Sequence, residues 1–367
     1  MRIDFPLHQP QGVLGFSHHR KRSRFVFVAW IAVLLALATV ATFGVLMIIP
    51  QGPVTAPAVS VDVPSDRDTA MAVLERAGVL TYRRTFRALI AVTQNPIQAG
   101  AYTVSPHLSV WSLVRLVTTT RPRPERVVRI IEGWNVRDIG QYLEREGVAS
   151  SAQFYALVGV PAVDYRSADP AIPRPKDFTS EFAWLKEKPD FIGLEGYLFP
   201  DTYRVYADAS IEDIVRKMLE NFDRKLTPEL REEITKSGRS LHQIITMASI
   251  VEAEIANHDD RPTAAGLLWK RRDRGMLLQV DASVNYVTGK HDPRVSREDT
   301  AADSSYNTYK YPGLPRGPIG NPGMSAILAA LRPTESPYWF FLTTKDGKTV
   351  FSRTLEEHNI NVQRHLR

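Results

Sequence analysis

Residues 241–254 read LHQIITMASIVEAE. Leu241, Ile244, Ile245, Met247, Ala248, Ile250 and Val251 leave this stretch almost no polar side. A helix that is apolar all round belongs inside a domain, so the surrounding chain has to be built on it. Yet it ends in two acids. Glu254 continues the face of Ile250 and Val251, while Glu252 continues the face of Ile245 and Ala248. Two positions on a helix differ by about 200°, so one cleft would not see both acids equally. A carboxyl group beside apolar side chains loses hydration, which raises its pKa and suits it to proton donation near neutral pH. Spacing alone leaves three readings open: a catalytic acid, a structural ion pair, or two surface groups at a fraying helix end.

The 367-residue chain carries 46 Lys and Arg against 40 Asp and Glu, a formal charge of +6. That length accommodates a membrane anchor with one large or two small domains. The chain has no cysteine, which excludes disulfides, thiolate metal sites and a cysteine nucleophile. The polar loop Asn257–Asp260 has too few ligands at metal spacing. With no phosphate-binding glycine loop and no defensible Ser–His–acid order, the expectation is no metal and no cofactor. The basic run Lys270–Arg274 complements the negative end of a helix. Outside a membrane it would meet anionic wall polymers, not nucleic acid.

Phe25–Ile49 carries no charge and follows the basic cluster His18–Arg24. As a helix it would reach about 37 Å, enough to cross a hydrocarbon core of roughly 30 Å. Basic residues ahead of the span predict a cytoplasmic tail over 1–24, a single transmembrane helix over 25–49 and, beyond a proline-rich linker at 50–58, an extracytoplasmic body. The rival is a cleaved signal peptide, whose apolar region is about 7–15 residues and so shorter than this one.

Val59, Val61 and Val63 alternate as in a strand, and helical patterns follow over 70–77 and 82–92. A strand at 100–104 and a helix at 111–118 capped by Ser109 complete a small α+β module over 59–122. Arg121–Pro124 punctuates the chain. In the larger unit, 123–367, the pattern gives a buried strand at 127–131, a helix from Val136 capped by Asn135 and ended at Gly147, and a helix at 152–158. Residues 159–190 read as a surface excursion, a candidate flap. The aromatic run Leu194–Tyr203 is either core packing or a platform for sugar rings. Helices follow at 211–226, 228–237 and 263–274, a strand at 275–281 with Gln279 and Asp281 on one face, a rigid glycine–proline loop at 313–323, a helix at 325–331, and a hairpin turning at Asp346-Gly347.

Five ordered stretches now resemble one family: LEGYLFPDTY (194–203), ASIVEAE (248–254), GMLLQVD (275–281), SYNTY (305–309) and GLPRGPIGNPG (313–323). They look like the YceG-like, or MltG, endolytic murein transglycosylases, and the module at 59–122 resembles that family's LysM-like subdomain. The resemblance covers about residues 59–367. It implies a peptidoglycan lytic transglycosylase, a lyase held in the inner (cytoplasmic) membrane. Such an enzyme cleaves the MurNAc–GlcNAc bond inside nascent strands, leaves 1,6-anhydro-MurNAc ends and terminates strand elongation. It selects Glu254, the second acid of the pair, as the catalytic residue, a choice that spacing did not make. Glu252 becomes a supporting group, and Gln279, Asp281, Asn307 and Tyr309 are candidates for holding the sugars. Peptidoglycan synthases are the expected neighbours. Departures from the family pattern fall at Ala253, Lys270, Arg272, Ala282, Ser283 and Arg316. Three other readings compete: a hydrolytic muramidase of similar shape, a non-catalytic tether between membrane and glycan, and an integral-membrane scaffold of the division or elongation machinery.

Overall fold

The computed structural model describes residues 19–120, 124–290 and 295–366. The tail expected at 1–18 and the punctuation at 121–123 lie outside the described residues. The fold is α+β, with three small antiparallel sheets of two strands each among the described residues. It divides into two compact units, residues 1–124 and 125–367.

The first unit begins with α1 (His19–Ile48). Its segment Phe27–Ile48, 22 residues, is long and apolar enough to cross a membrane. After it come β1 (Val59–Val63), α2 (Arg67–Arg76), α3 (Arg83–Thr93), β2 (Gly100–Val104) and α4 (Val110–Thr119). Ser109 caps α4 by accepting from the Ser112 N–H at 3.2 Å. β1 pairs with β2 so that Val61 faces Tyr102. Val63, Leu74, Phe86, Val104 and Leu113 close a separate core in this unit.

In the second unit, β3 (Glu125–Arg129) pairs with a distant strand, β4 (Thr202–Tyr206). Between them lie α5 (Val136–Arg145) and α6 (Ser151–Val158); after them come α7 (Ile211–Lys225), α8 (Pro228–Lys236), α9 (Leu241–Glu254) and α10 (Arg261–Asp273). The chain then runs through α11 (Asp281–Thr288), α12 (Arg297–Ala301), α13 (Met324–Leu331), the hairpin β5 (Phe340–Thr343) and β6 (Thr349–Ser352), and α14 (Leu355–His365). The apolar stretch quoted first is the centre of this unit: every residue of α9 from Ile244 to Val251 is buried. A reciprocal cap starts it, with Ser240 Oγ accepting from the Gln243 N–H and Gln243 Oε1 from the Ser240 N–H. Helices α10 and α13 pack on it.

Three expectations need correction, and the open choice for the aromatic run closes on core packing. The strand at 127–131 begins two residues earlier and buries one face only, because its sheet has just two strands: Val128 and Ile130 point inward while Val127 and Ile131 are exposed. The excursion at 159–190 is no flap over its second half, where Phe178, Phe182, Trp184 and Leu185 are buried in the main core. The aromatic run is core as well, since Tyr197, Phe199 and Tyr203 are buried and present no open sugar platform. Finally, residues 275–280 form no strand: Gln279 takes a left-handed φ of 55°, which breaks the alternation, and α11 starts at Asp281.

Candidate active site

The two acids at the end of α9 have separate fates. Glu252 is a structural ion pair. Its carboxylate meets Arg261 through Nη2–Oε1 at 2.5 Å and Nη1–Oε2 at 3.3 Å, with side chains only 7% and 4% exposed. It also accepts the Gly323 N–H at 3.0 Å, at the start of α13. The Arg261 Nε in turn donates to the Ile255 carbonyl at 3.0 Å. This buried network joins the starts of α10 and α13 to the end of α9, and it leaves Glu252 no role as a free acid.

Among the described residues no cation pairs with Glu254. The residue is half-buried, with its carboxyl end the enclosed part. Oε1 accepts the Ala282 N–H at 3.2 Å, in the first turn of α11. The Thr343 hydroxyl of β5 donates to the Glu254 carbonyl at 3.0 Å and fixes the end of the helix. Burial pushes the carboxyl up to about 7; the Ala282 N–H opposes the rise and the nearby Asp281 carboxylate adds to it. A group that titrates there exchanges a proton in either direction at neutral pH.

The other candidates divide into two kinds. Asp281 and Tyr309 form one unit, with the Tyr309 hydroxyl donating to Asp281 Oδ1 at 2.5 Å. Burial raises the Tyr309 pKa, and its bond to Asp281 adds to the rise, so it stays a donor. Gln279 is exposed at the left-handed bend, and its N–H donates to the Thr308 carbonyl at 3.1 Å. Asn307 is different. It is 1% exposed, and its Nδ2 donates to the Thr300 and Ala302 carbonyls at 3.0 and 2.8 Å. Its Oδ1 accepts the Tyr309 N–H at 3.0 Å. Direct sugar contact was the expectation, but both amide hydrogens are spent inside the protein. Asn307 instead shapes the loop that presents Tyr309.

The glycine–proline loop 313–323 forms a belt around α9. Its Ile319 N–H donates to Ser249 Oγ at 3.1 Å. Asn321 Nδ2 donates to the Trp134 carbonyl and to Glu195 Oε1, and Asn321 Oδ1 accepts the Leu198 N–H. A Cβ on Gly320 would lie 2.7 Å from the Gly133 carbonyl oxygen, so only glycine allows this approach. The sequence reading did not identify Glu195 or Asn321 as site-shaping residues. A lone acid inside an apolar aromatic run was the available signal. Glu195 accepts the Val136 N–H with both oxygens, at 3.1 and 3.0 Å, and burial pushes its carboxyl up to about 8. The departure at Arg316 is accounted for locally, since its guanidinium pairs with Asp164. Ala253 and Ala282 line a cleft of about 290 Å³ that adjoins Glu254. No cluster of metal-ligating side chains exists among the described residues.

The profile of the YceG-like family matches residues 59–364, a span that holds all of these side chains. The chain belongs to the YceG-like family. An endolytic murein transglycosylase of Bacillus subtilis is 30% identical over 316 residues, covering 82% of this chain and 83% of the relative. A protein of the same name from Streptococcus pneumoniae is 27% identical and covers 80% of this chain and 55% of the relative. The crystal structure of a YceG-like protein from Listeria monocytogenes matches with a TM-score of 0.55 and 30% identity, over 84% of this chain and all of that one. The YceG-like assignment therefore rests on both sequence and fold.

Proposed function

We propose that this chain is a membrane-anchored endolytic lytic transglycosylase that cuts the MurNAc–GlcNAc bond within peptidoglycan strands. The observation that carries the reading is Glu254: a carboxyl with no cation partner among the described residues, held near neutral titration, at the end of a helix buried from Ile244 to Val251. The family and the names of its relatives support the substrate class. Glu254 donates its proton to the glycosidic oxygen as the bond to C1 of the muramic acid breaks. The resulting carboxylate then takes the proton of the C6 hydroxyl of that ring, and the C6 oxygen closes on C1. The leaving strand keeps the first proton and Glu254 regains one, so the enzyme returns unchanged. Because the nucleophile belongs to the same sugar, closure gains the advantage of an intramolecular reaction. One carboxyl suffices, whereas ordinary glycosidases need two.

In this reading Asp281, Tyr309 and Gln279 hold sugar hydroxyls or N-acetyl groups at the site, and Asn307 fixes the loop behind Tyr309. Glu252 is the supporting group, acting through its ion pair to hold the helix end. The basic residues of His18–Arg24, ahead of the apolar span Phe27–Ile48, orient the N-terminus to the cytoplasm and the body to the outside of the membrane. The module at 59–122 serves as the LysM-like glycan-binding part. From that position the enzyme works on nascent strands beside the synthases and terminates their elongation. Failure to cross-link to any synthase in cells counts against the last point.

A hydrolytic muramidase is the second reading, because the Asp281 carboxylate acts on Glu254 and a second acid is what water activation requires. Mass spectrometry of digested glycan separates the two. Ring closure gives termini lighter by one water than the reducing ends of hydrolysis. Intact glycan with tight binding would leave only a tether.

A further inference from the structure

The cleft beside Glu254 contains a cation that the chemistry above does not use. Arg137, Ala253 and Ala282 all line it. Ala253 adjoins Glu254 in the chain, and the Ala282 N–H donates to its carboxyl, so two lining residues of the cleft neighbour the catalytic group. Its volume of about 290 Å³ falls at the lower end of small-ligand sites, roughly 300–1,000 Å³. A polymer cut in its interior needs an open groove. A space of this size fits a branch of the polymer, not the chain itself.

The helix start does not call for a cation at Arg137. It is the second residue of α5, at the positive end of the helix dipole, where a cation is disfavoured. The helix start is already satisfied by Asn135, Asp138 and Glu195. The Arg137 guanidinium makes one long bond, from Nη1 to the Tyr286 carbonyl at 3.4 Å, and no ion pair among the described residues. Lys290, on the same cleft, is engaged by Asp299 at 2.7 Å. The Asp138 carboxylate accepts the Asn135 N–H at 3.0 Å. Burial keeps the nearby Glu195 largely protonated at neutral pH. A planar guanidinium with open donors matches a carboxylate through two parallel bonds.

We propose that Arg137 binds a carboxylate of the branch borne by the muramic acid ring, in the cleft lined by Ala253 and Ala282 beside Glu254. This rests on the functional reading above. The ring whose bond breaks at Glu254 is the one that carries the lactyl ether. The branch ends either in the free lactyl carboxylate or in a stem peptide with carboxylates of its own. Placing the ring at Glu254 brings that branch to the cleft.

The test measures binding of uncut strands by the full chain in its Glu254→Gln form, with and without Arg137→Gln. Peptide-bearing strands are compared with the same strands stripped by an amidase. Loss of Arg137 is expected to weaken binding about tenfold on at least one strand type, with Arg137→Lys recovering part of it. A loss confined to peptide-bearing strands assigns the peptide carboxylate; one confined to stripped strands assigns the lactyl carboxylate. Equal affinity with and without Arg137 on both strands, or no binding of either, overturns the inference. Cleavage by the wild-type chain is followed in parallel. Absence of cutting sinks the functional reading, whereas intact cutting with unchanged binding sinks only the role of Arg137.

Discussion

Replacing Glu254 with Gln should stabilise the folded protein at alkaline pH while abolishing its chemistry. The magnitude follows from the site. An unfolded glutamate titrates at 4.5, and burial pushes Glu254 up to about 7. The folded state thus holds the proton more tightly. Its advantage is complete below about 4.5 and is lost as pH rises through 7, because the unfolded chain ionises first and the buried carboxyl must follow. Each pH step across that window costs about 1.4 kcal/mol, so the group removes roughly 3 kcal/mol of stability by pH 8. Gln keeps the shape and an acceptor for the Ala282 N–H but carries no titrating proton. Glu195 also titrates high, so the quantity to measure is the difference between wild type and variant. Urea unfolding of both proteins from pH 4 to 8 supplies it. The difference should be near zero at pH 4 and reach roughly 3 kcal/mol in favour of Gln at pH 8. A difference that stays flat with pH refutes the claim that Glu254 sits in a desolvated pocket.

The remaining expectations concern the neighbours. Glu252→Gln breaks a buried ion pair and should lower stability by about 3–5 kcal/mol, seen as an earlier thermal transition. Tyr309→Phe removes the bond to Asp281 and should slow strand cleavage about tenfold with little change in melting; a rate equal to wild type would remove Tyr309 from the site. Asn321→Ala strands the buried Leu198 N–H and removes one of the two donors to Glu195 Oε1, and should destabilise by about 1–3 kcal/mol in denaturant titrations. The rate of cleavage should fall as pH rises through about 7, since the acid form of Glu254 starts the reaction; a rate that climbs steadily to pH 9 contradicts that assignment.

Helix α9 was legible because a fully apolar run has one physical destination, and the two acids at its end marked a break in that rule. Which of the two acids is tied up in an ion pair was not legible from spacing. The answer depends on Arg261, nine residues on, and on Gly323, brought back by a long loop. Strand pairing was equally hidden: β3 and β4 meet across more than seventy residues, and no local signal sets that register. The expected strand at 275–281 failed because alternation does not report a left-handed turn at a non-glycine residue such as Gln279. Asn307 looked like a ligand contact because an exposed polar loop and a buried loop brace use the same residue types. Its burial came from the chain folding over it.

The central claim is that the one carboxyl of Glu254 gives the proton that breaks the bond and takes the proton that lets the ring close. It is tested most directly by incubating wild-type and Glu254→Gln protein with purified glycan strands and determining the new termini by mass spectrometry. The expected result is 1,6-anhydro-muramic termini from wild type and none above background from the variant. Ring-closed termini released by the Gln variant at the native rate would contradict it.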